Sequence, residues 1–268
     1  MKKLTILLLL SICFNFYGQS AEEYYKSGLA KAHINDFLGA INDYTKSIEL
    51  EPNYSGTFYN RGLAKDNLEN YEAALVDYSK AIELDPNYGD AYYNRAVVKR
   101  IMGDAMGAIA DYTKSDELQP NESDVFLGIG LAKYDLEDYQ GAITYYTKAI
   151  ELNPNYINAY NNMGIVKFKI GDNQGAIANY TKAIELNPDN LNSYFNRGNV
   201  KGEIEDYEGA LIDYTAAIRL NPNDSDSYFV RGDTQHNLGQ TVKACLDWRK
   251  AQELGDSDAG ARIAKYCN

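Results

Sequence analysis

The chain has 268 residues, with 38 acidic against 26 basic side chains, a formal net charge of −12 and only two histidines. A surface of that sign repels phosphate, so nucleic acid and anionic lipid are disfavoured as partners and a neutral or basic one is favoured. The length suggests one or two globular domains, a prior that an internal repeat overrides.

The chain opens on Met1-Lys2-Lys3, continues through an apolar run from Leu4 to Tyr17 and reaches the small-residue site Gly18-Gln19-Ser20. A basic start, an apolar stretch and a small-residue site mark residues 1–20 as a secretory signal peptide. The run is shorter than the roughly 20 residues a spanning helix needs. No other stretch is apolar enough to span, so the expectation is an exported protein with no membrane span, periplasmic or secreted from a bacterial envelope. Attachment of lipid through Cys13 is the alternative; against it stands Ile12, where such signals carry a small residue.

From residue 21 onward the six prolines, Pro52, Pro86, Pro120, Pro154, Pro188 and Pro222, recur every 34 residues. A strict period of this size means stacked supersecondary units, none of which can bury its apolar face alone. Counting back from each proline gives seven repeats: 21–54, 55–88, 89–122, 123–156, 157–190, 191–224 and 225–258. Within each, apolar and small residues recur twice at helical spacing, separated by a polar turn such as Asp66-Asn67-Leu68-Glu69-Asn70. Each repeat therefore reads as a helical hairpin.

The first helix carries an aromatic at its fourth position in every repeat, from Tyr24 to Tyr228, and Gly or Ala at its eighth, from Gly28 to Gly232. The second helix carries Ala at position 20, from Ala40 to Ala244, placed to meet that small residue. An aromatic stands at position 24, from Tyr44 to Trp248, with a large apolar area to bury. The proline ends the second helix because it cannot continue the ladder. With this pattern, residues 21–258 resemble the tetratricopeptide repeat family. The resemblance implies an all-α, right-handed superhelical solenoid. In the last repeat Asp256 replaces the proline, and the tail 259–268 reads as a capping helix, since a terminal repeat must cover its outer face.

His33 and His236 occupy different positions of distant repeats, so neither a metal site nor a nucleophile constellation is supported. No cofactor, small-molecule substrate or catalytic activity is expected. Asp224-Ser225-Asp226-Ser227 lacks the glycine and closing glutamate of a calcium loop and reads as helix capping. Cys245 and Cys267 fall in the last repeat and the tail, and an exported chain favours their oxidation; a disulfide or two free thiols are both open. Arginine at the seventh position (Arg61, Arg95, Arg197, Arg231) accompanies aspartate at position 23 (Asp77, Asp111, Asp213, Asp247). Where arginine becomes Ile129 or Met163, the aspartate becomes Tyr145 or Asn179. This covariation between repeats predicts Arg–Asp pairs joining the two helices of a hairpin.

A second apolar stripe on the first helix runs through the fifth and ninth positions. It takes in Tyr25, Tyr59, Leu63, Tyr93, Val97, Leu127, Leu131 and Phe195, positions that in the family face a concave groove. These side chains either line that groove as a binding patch or pack neighbouring helices together. Asparagine at the sixth position (Asn60, Asn94, Asn162, Asn196) is similar to the asparagine ladder in the repeat domain of O-linked N-acetylglucosamine transferase. Such a ladder can donate to and accept from an extended peptide backbone; local helix contacts are the other reading. The lysine and asparagine clamp that grips chaperone tails is not matched, since the fifth position never carries lysine. The resemblance thus implies a non-enzymatic scaffold holding an extended segment of a partner protein in the groove of repeats 1 to 6. The alternative is a structural subunit of an envelope or secretion assembly, docked through its convex face or its termini.

Overall fold

The structure is a computed structural model and describes residues 19–267. Cys13 and residues 1–18 of the expected signal peptide 1–20 lie outside the described residues. Fifteen helices and no strand occur among the described residues, in consecutive hairpins: α1 (Ala21–His33) with α2 (Phe37–Leu50), α3 (Ser55–Asp66) with α4 (Tyr71–Leu84), and α5 (Gly89–Ile101) with α6 (Ala105–Leu118). Then come α7 (Ser123–Asp135) with α8 (Tyr139–Leu152), α9 (Ile157–Lys169) with α10 (Asn173–Leu186), α11 (Leu191–Glu203) with α12 (Tyr207–Leu220), and α13 (Ser225–Asn237) with α14 (Thr241–Glu253). The tail forms α15 (Ala259–Tyr266). The chain forms two compact bodies, one up to Gln119 with α1–α6, the other from Pro120 with α7–α15. Inside each body a helix packs chiefly on the next in sequence.

The turn inside every hairpin has one construction. Position 15 takes a left-handed backbone, with φ of 63° at Asn35, 57° at Glu69, 87° at Gly103, 58° at Glu137, 81° at Gly171, 63° at Glu205 and 73° at Gly239. The next residue is an Asp or Asn in six repeats, and its side chain accepts the backbone N–H three residues on, as Asp36 does from Gly39 at 3.0 Å and Asp104 from Gly107 at 2.8 Å. That bond satisfies one of the orphan donors at the start of the second helix. At the other end, the residue before each proline is extended, as at Glu51 (φ −136°, ψ 86°), because proline excludes the helical conformation from its predecessor.

The core is the row of aromatics at position 24. Tyr44, Tyr78 and Trp248 have no exposed surface, and Ala40, Ala74 and Ala244 beside them are equally enclosed. The small residue at position 8 makes room for that ring rather than chiefly for the alanine: a Cβ on Gly62 would lie 2.8 Å from Cε1 of Tyr78. Close approach of helix to ring, not of backbone to backbone, explains the glycine.

All four expected Arg–Asp pairs form as two-pronged bonds. In the second hairpin Arg61 Nε and Nη2 donate to Asp77 at 2.8 and 2.7 Å. The third, sixth and seventh do the same through Arg95–Asp111, Arg197–Asp213 and Arg231–Asp247. Lys65, Lys99 and Lys201 supply a second cation to three of these aspartates. In the first hairpin Ser27 and Lys31 take the arginine's place on Asp43. Where the aspartate is missing, the equivalent lysines turn to the turn aspartates, Lys133 to Asp138 and Lys167 to Asp172.

Two ends close differently. Position 3 of the first helix is fully enclosed in Thr57, Ala91, Ala159, Ser193 and Ser227, yet exposed in Glu23, which instead completes a reciprocal capping box with Ser20. At the other end α15 covers α14. Cys245 and Cys267 are bonded with Cα atoms 5.6 Å apart, Tyr266 lies 4.2 Å from the His236 ring, and Arg262 donates twice to Asp233.

Candidate peptide-binding face

In the first body the fifth-position tyrosines come from α1, α3 and α5. Each turns one flank inward: Tyr25 lies 6.0 Å from the core ring of Tyr44, Tyr59 6.0 Å from Tyr78 and Tyr93 5.5 Å from Tyr112. The rings thus pack on the core and still remain only half-buried. On the outer flank stands a tyrosine that sequence reasoning overlooked. Tyr54 and Tyr88 occupy position 34, where repeats 5 and 6 place Asn190 and Asp224 as helix caps, and neither makes a side-chain cap; Tyr156, at the same position of repeat 4, donates its hydroxyl to Asp124 instead. Tyr54 meets Tyr25 edge-on at 5.4 Å, and Tyr88 meets Tyr59 at 4.7 Å. The signal was present in the sequence as an aromatic at a capping position, where its ring has no local purpose.

Asparagine in this body serves the tyrosines. Asn60 donates to the Tyr25 hydroxyl at 3.1 Å and to its own helix at Gly56, 2.8 Å. Asn94 repeats the arrangement on Tyr59 at 3.0 Å and on Asp90 at 2.9 Å. Both amide hydrogens are thereby used, leaving each Oδ1 to accept; the Tyr59 hydroxyl, receiving such a bond, keeps its own proton to donate, while the Tyr25 hydroxyl also bonds Tyr54. Burial, reinforced by the Asp90 charge, pushes Tyr59 up to about 12, and burial followed by Tyr54 also raises Tyr25, so both stay protonated at neutral pH. Beside Tyr25 and Tyr54 opens a cleft of about 330 Å³, whose wall includes Glu22, Lys26 and Glu51. Leu63 and Val97 are half-buried, Leu63 against the cluster of Ala74, Tyr78 and Val98.

The equivalent positions of the second body do not build such a face. Leu127, expected to line the groove, is buried in a core cluster with Tyr146 and Met163, and Leu131 packs against the same cluster. The apolar side chain is drawn inward there because α7 lacks a polar atom at that position to hold it at the surface. Among the described residues Asn162 bonds only to its own helix, at Asn158, 2.8 Å. Phe195 leans on Tyr214 at 6.0 Å, and Asn196 is half-buried beside it in sequence. Phe229 lies under the Arg262 guanidinium at 5.7 Å, and so is engaged by the cap.

Family models described as TPR repeat match residues 130–171 and 166–204, and models described as tetratricopeptide repeat match 56–88, 78–110, 191–224 and 213–245. Among curated proteins none matches the sequence significantly. Of solved structures, a tetratricopeptide repeat protein from Parabacteroides merdae is 20% identical over 94% of this chain and 100% of its own, with a TM-score of 0.71. The C-terminal part of a TPR repeat-containing protein from Cytophaga hutchinsonii is 16% identical over 89% and 99%, with a TM-score of 0.73. YrrB, described as a TPR protein with an unusual peptide-binding site, is 26% identical over 69% of this chain and 95% of its own, with a TM-score of 0.55. With the 34-residue period, the hairpins and these matches together, the chain belongs to the tetratricopeptide repeat family, an architecture of protein-interaction scaffolds.

Proposed function

We propose that this protein is a non-enzymatic scaffold of the cell envelope that holds an extended segment of a partner protein on the first-helix face of repeats 1 to 3. The observation that carries the reading is the pair of bonds from Asn60 to Tyr25 and from Asn94 to Tyr59. Each repeat fixes the ring of the one before it, so a partner meets rings already held in place and loses less entropy on binding. The peptide-binding description of YrrB is consistent with such a use. Export is supported by the leader-like residues 1–20 and by the Cys245–Cys267 bond, which belongs to an oxidising compartment.

The test is crosslinking capture from envelope fractions, comparing wild type with a variant carrying Asn60→Ala and Asn94→Ala. The expected result is one dominant partner, captured by wild type and lost by a variant whose helical circular dichroism is unchanged. Equal capture by both removes the face from consideration.

A second reading, docking through the second helices, is favoured by one observation. Val242 and Leu246 on α14 are 79% and 61% exposed, beside the disulfide. Val242→Asp with Leu246→Asp would abolish assembly under that reading and leave it untouched under the first.

A further inference from the structure

We infer that the segment held by this face is a basic, proline-rich stretch in the polyproline II conformation; this rests on the reading above. Three observations converge on that chemistry. The first is the shape of the face. Tyr25 with Tyr54 and Tyr59 with Tyr88 form two ring pairs, one per repeat, and a cleft of about 330 Å³ opens beside the first. The first helices of adjacent repeats approach within 8 Å at their Cα atoms, in keeping with packed helix axes about 8–10 Å apart. A polyproline II helix repeats every three residues at about 3.1 Å each, so its turn of about 9.3 Å places one proline on each successive pair.

The second observation is the pattern of donors. Polyproline II has no internal hydrogen bonds and presents its carbonyls to the surroundings. The Tyr59 hydroxyl, held by Asn94 and protonated at neutral pH, donates to such a carbonyl. The remaining Oδ1 of Asn60 or Asn94 accepts only from the non-proline positions. A β-like peptide brings an N–H at every residue, whereas proline brings none, so the two Oδ1 atoms have only the N–H groups between prolines to accept.

The third observation is charge. Glu51 shares the cleft at the first ring pair, and Asp90 is close enough to the second to raise Tyr59 and Tyr88. Glu22 is neutralised by Lys26 at 2.6 Å, but neither Glu51 nor Asp90 is ion-paired among the described residues. Each ring pair thus has an unpaired carboxylate beside it, and lysine or arginine between the prolines answers it.

The experiment is a fluorescence-anisotropy titration of the full chain with three labelled decapeptides. One has proline at every third position with arginine and lysine between; the second replaces proline by alanine; the third replaces the basic residues by glutamate. The protein variant is Tyr54→Asn with Tyr88→Asn. Asparagine is the natural cap of α11, where Asn190 accepts from Ser193 at 3.0 Å, so the substitution removes both rings while supplying a cap that α3 and α5 lack. Tyr59→Phe is a second variant, keeping the ring and removing the donor.

The expected result is that the basic proline peptide binds wild type at least about tenfold more tightly than either control, as loss of an anchoring aromatic contact requires. The double variant then loses about tenfold, and Tyr59→Phe a smaller factor. If the alanine peptide binds as well and is lost in the double variant, the proline inference falls and the groove reading stands. If the glutamate peptide binds best, the charge argument falls with the inference. If the double variant binds every peptide as wild type does, both the inference and the placement of the partner on this face fall.

Discussion

Asp77 and Asp213 have at most 1% of their surface exposed, and each is held by one arginine in two-pronged geometry and by one lysine. A third link follows from the same arginine. Nη1 of Arg61, Arg95, Arg197 and Arg231 donates to Thr45, Ser79, Thr181 and Thr215 at position 25 of the preceding repeat, at 3.1, 3.1, 2.9 and 3.3 Å. One guanidinium therefore joins two helices of its own hairpin and the hairpin before it, and in four repeats it also covers the fourth-position ring. Removing the arginine leaves the buried carboxylate with the lysine alone and with two hydrogen bonds fewer, whereas replacing the aspartate as well removes the buried negative charge and leaves the part-exposed lysine free to reach solvent. Arg197→Met is expected to cost about 3 kcal/mol in urea unfolding, while Arg197→Met with Asp213→Asn, the combination repeat 5 carries as Met163 and Asn179, is expected to recover most of it. A double variant no better than the sum of the singles would show that the two residues act independently. The Arg–Asp coupling was legible from the covariation between repeats; the hydroxyl at position 25 recurs as plainly, but a threonine in a helix has a local role available, as Thr45 donating to the Ile41 carbonyl at 2.7 Å, so its recurrence does not point across to the next repeat.

At the scale of the hairpin, the turn is where local preference and tertiary demand disagree. Glu69, Glu137 and Glu205 adopt the left-handed backbone that Gly103, Gly171 and Gly239 adopt in the alternate repeats. A side chain there costs about 1–2 kcal/mol, and a glycine gives back part of that through its greater freedom when unfolded. Replacing all three glutamates by glycine is therefore expected to stabilise by about 0.5–1 kcal/mol per site, read as a rise in the urea midpoint; an unchanged or lower midpoint would mean that the Glu side chains make good the strain. The helices themselves were legible throughout, because the 34-residue period aligns every turn, cap and proline. The exchange of partners by the turn aspartates was not. Asp138 and Asp172 receive a lysine only because no aspartate stands at position 23 of their hairpins.

Across the whole molecule, stability is expected to fall at both ends of the pH scale and on reduction. Burial pushes Tyr44 and Tyr59 up to about 12 while the unfolded chain releases the proton near ~10. Their contribution is full below about pH 10 and is lost as pH rises through about 12. In the other direction, burial raises Asp43, but the bonds from Lys31 and Ser27 outweigh it and leave the carboxyl lowered. Its contribution is present above the ordinary carboxylate range and is lost as pH falls through the folded value. A flat melting temperature from pH 9 to 12 would contradict the tyrosine argument. The disulfide closes a loop with a sequence separation of 22, for which the chain-entropy model gives about 3 kcal/mol. Replacing Cys245 and Cys267 by alanine is expected to speed hydrogen exchange selectively in α13–α15, since in a repeat array each helix depends mainly on its neighbours. Uniform acceleration through the chain would show that the cap acts globally.

The sequence by itself determined the fold family, the number and placement of the hairpins and the Arg–Asp pairs, because a repeat compares itself with itself seven times and chance agreement cannot survive that. The bond between Cys245 and Cys267 depends on α15 lying along α14, which brings their Cα atoms to 5.6 Å. The tertiary structure alone decided which side chains of the fifth-position stripe stay at the surface. Periodicity assigns a residue to a face of its own helix, but how deep that face lies is set by the neighbouring helices. Tyr25 and Tyr59 are held outward by an asparagine of the next repeat, and Leu127, with nothing polar to hold it, went into the core.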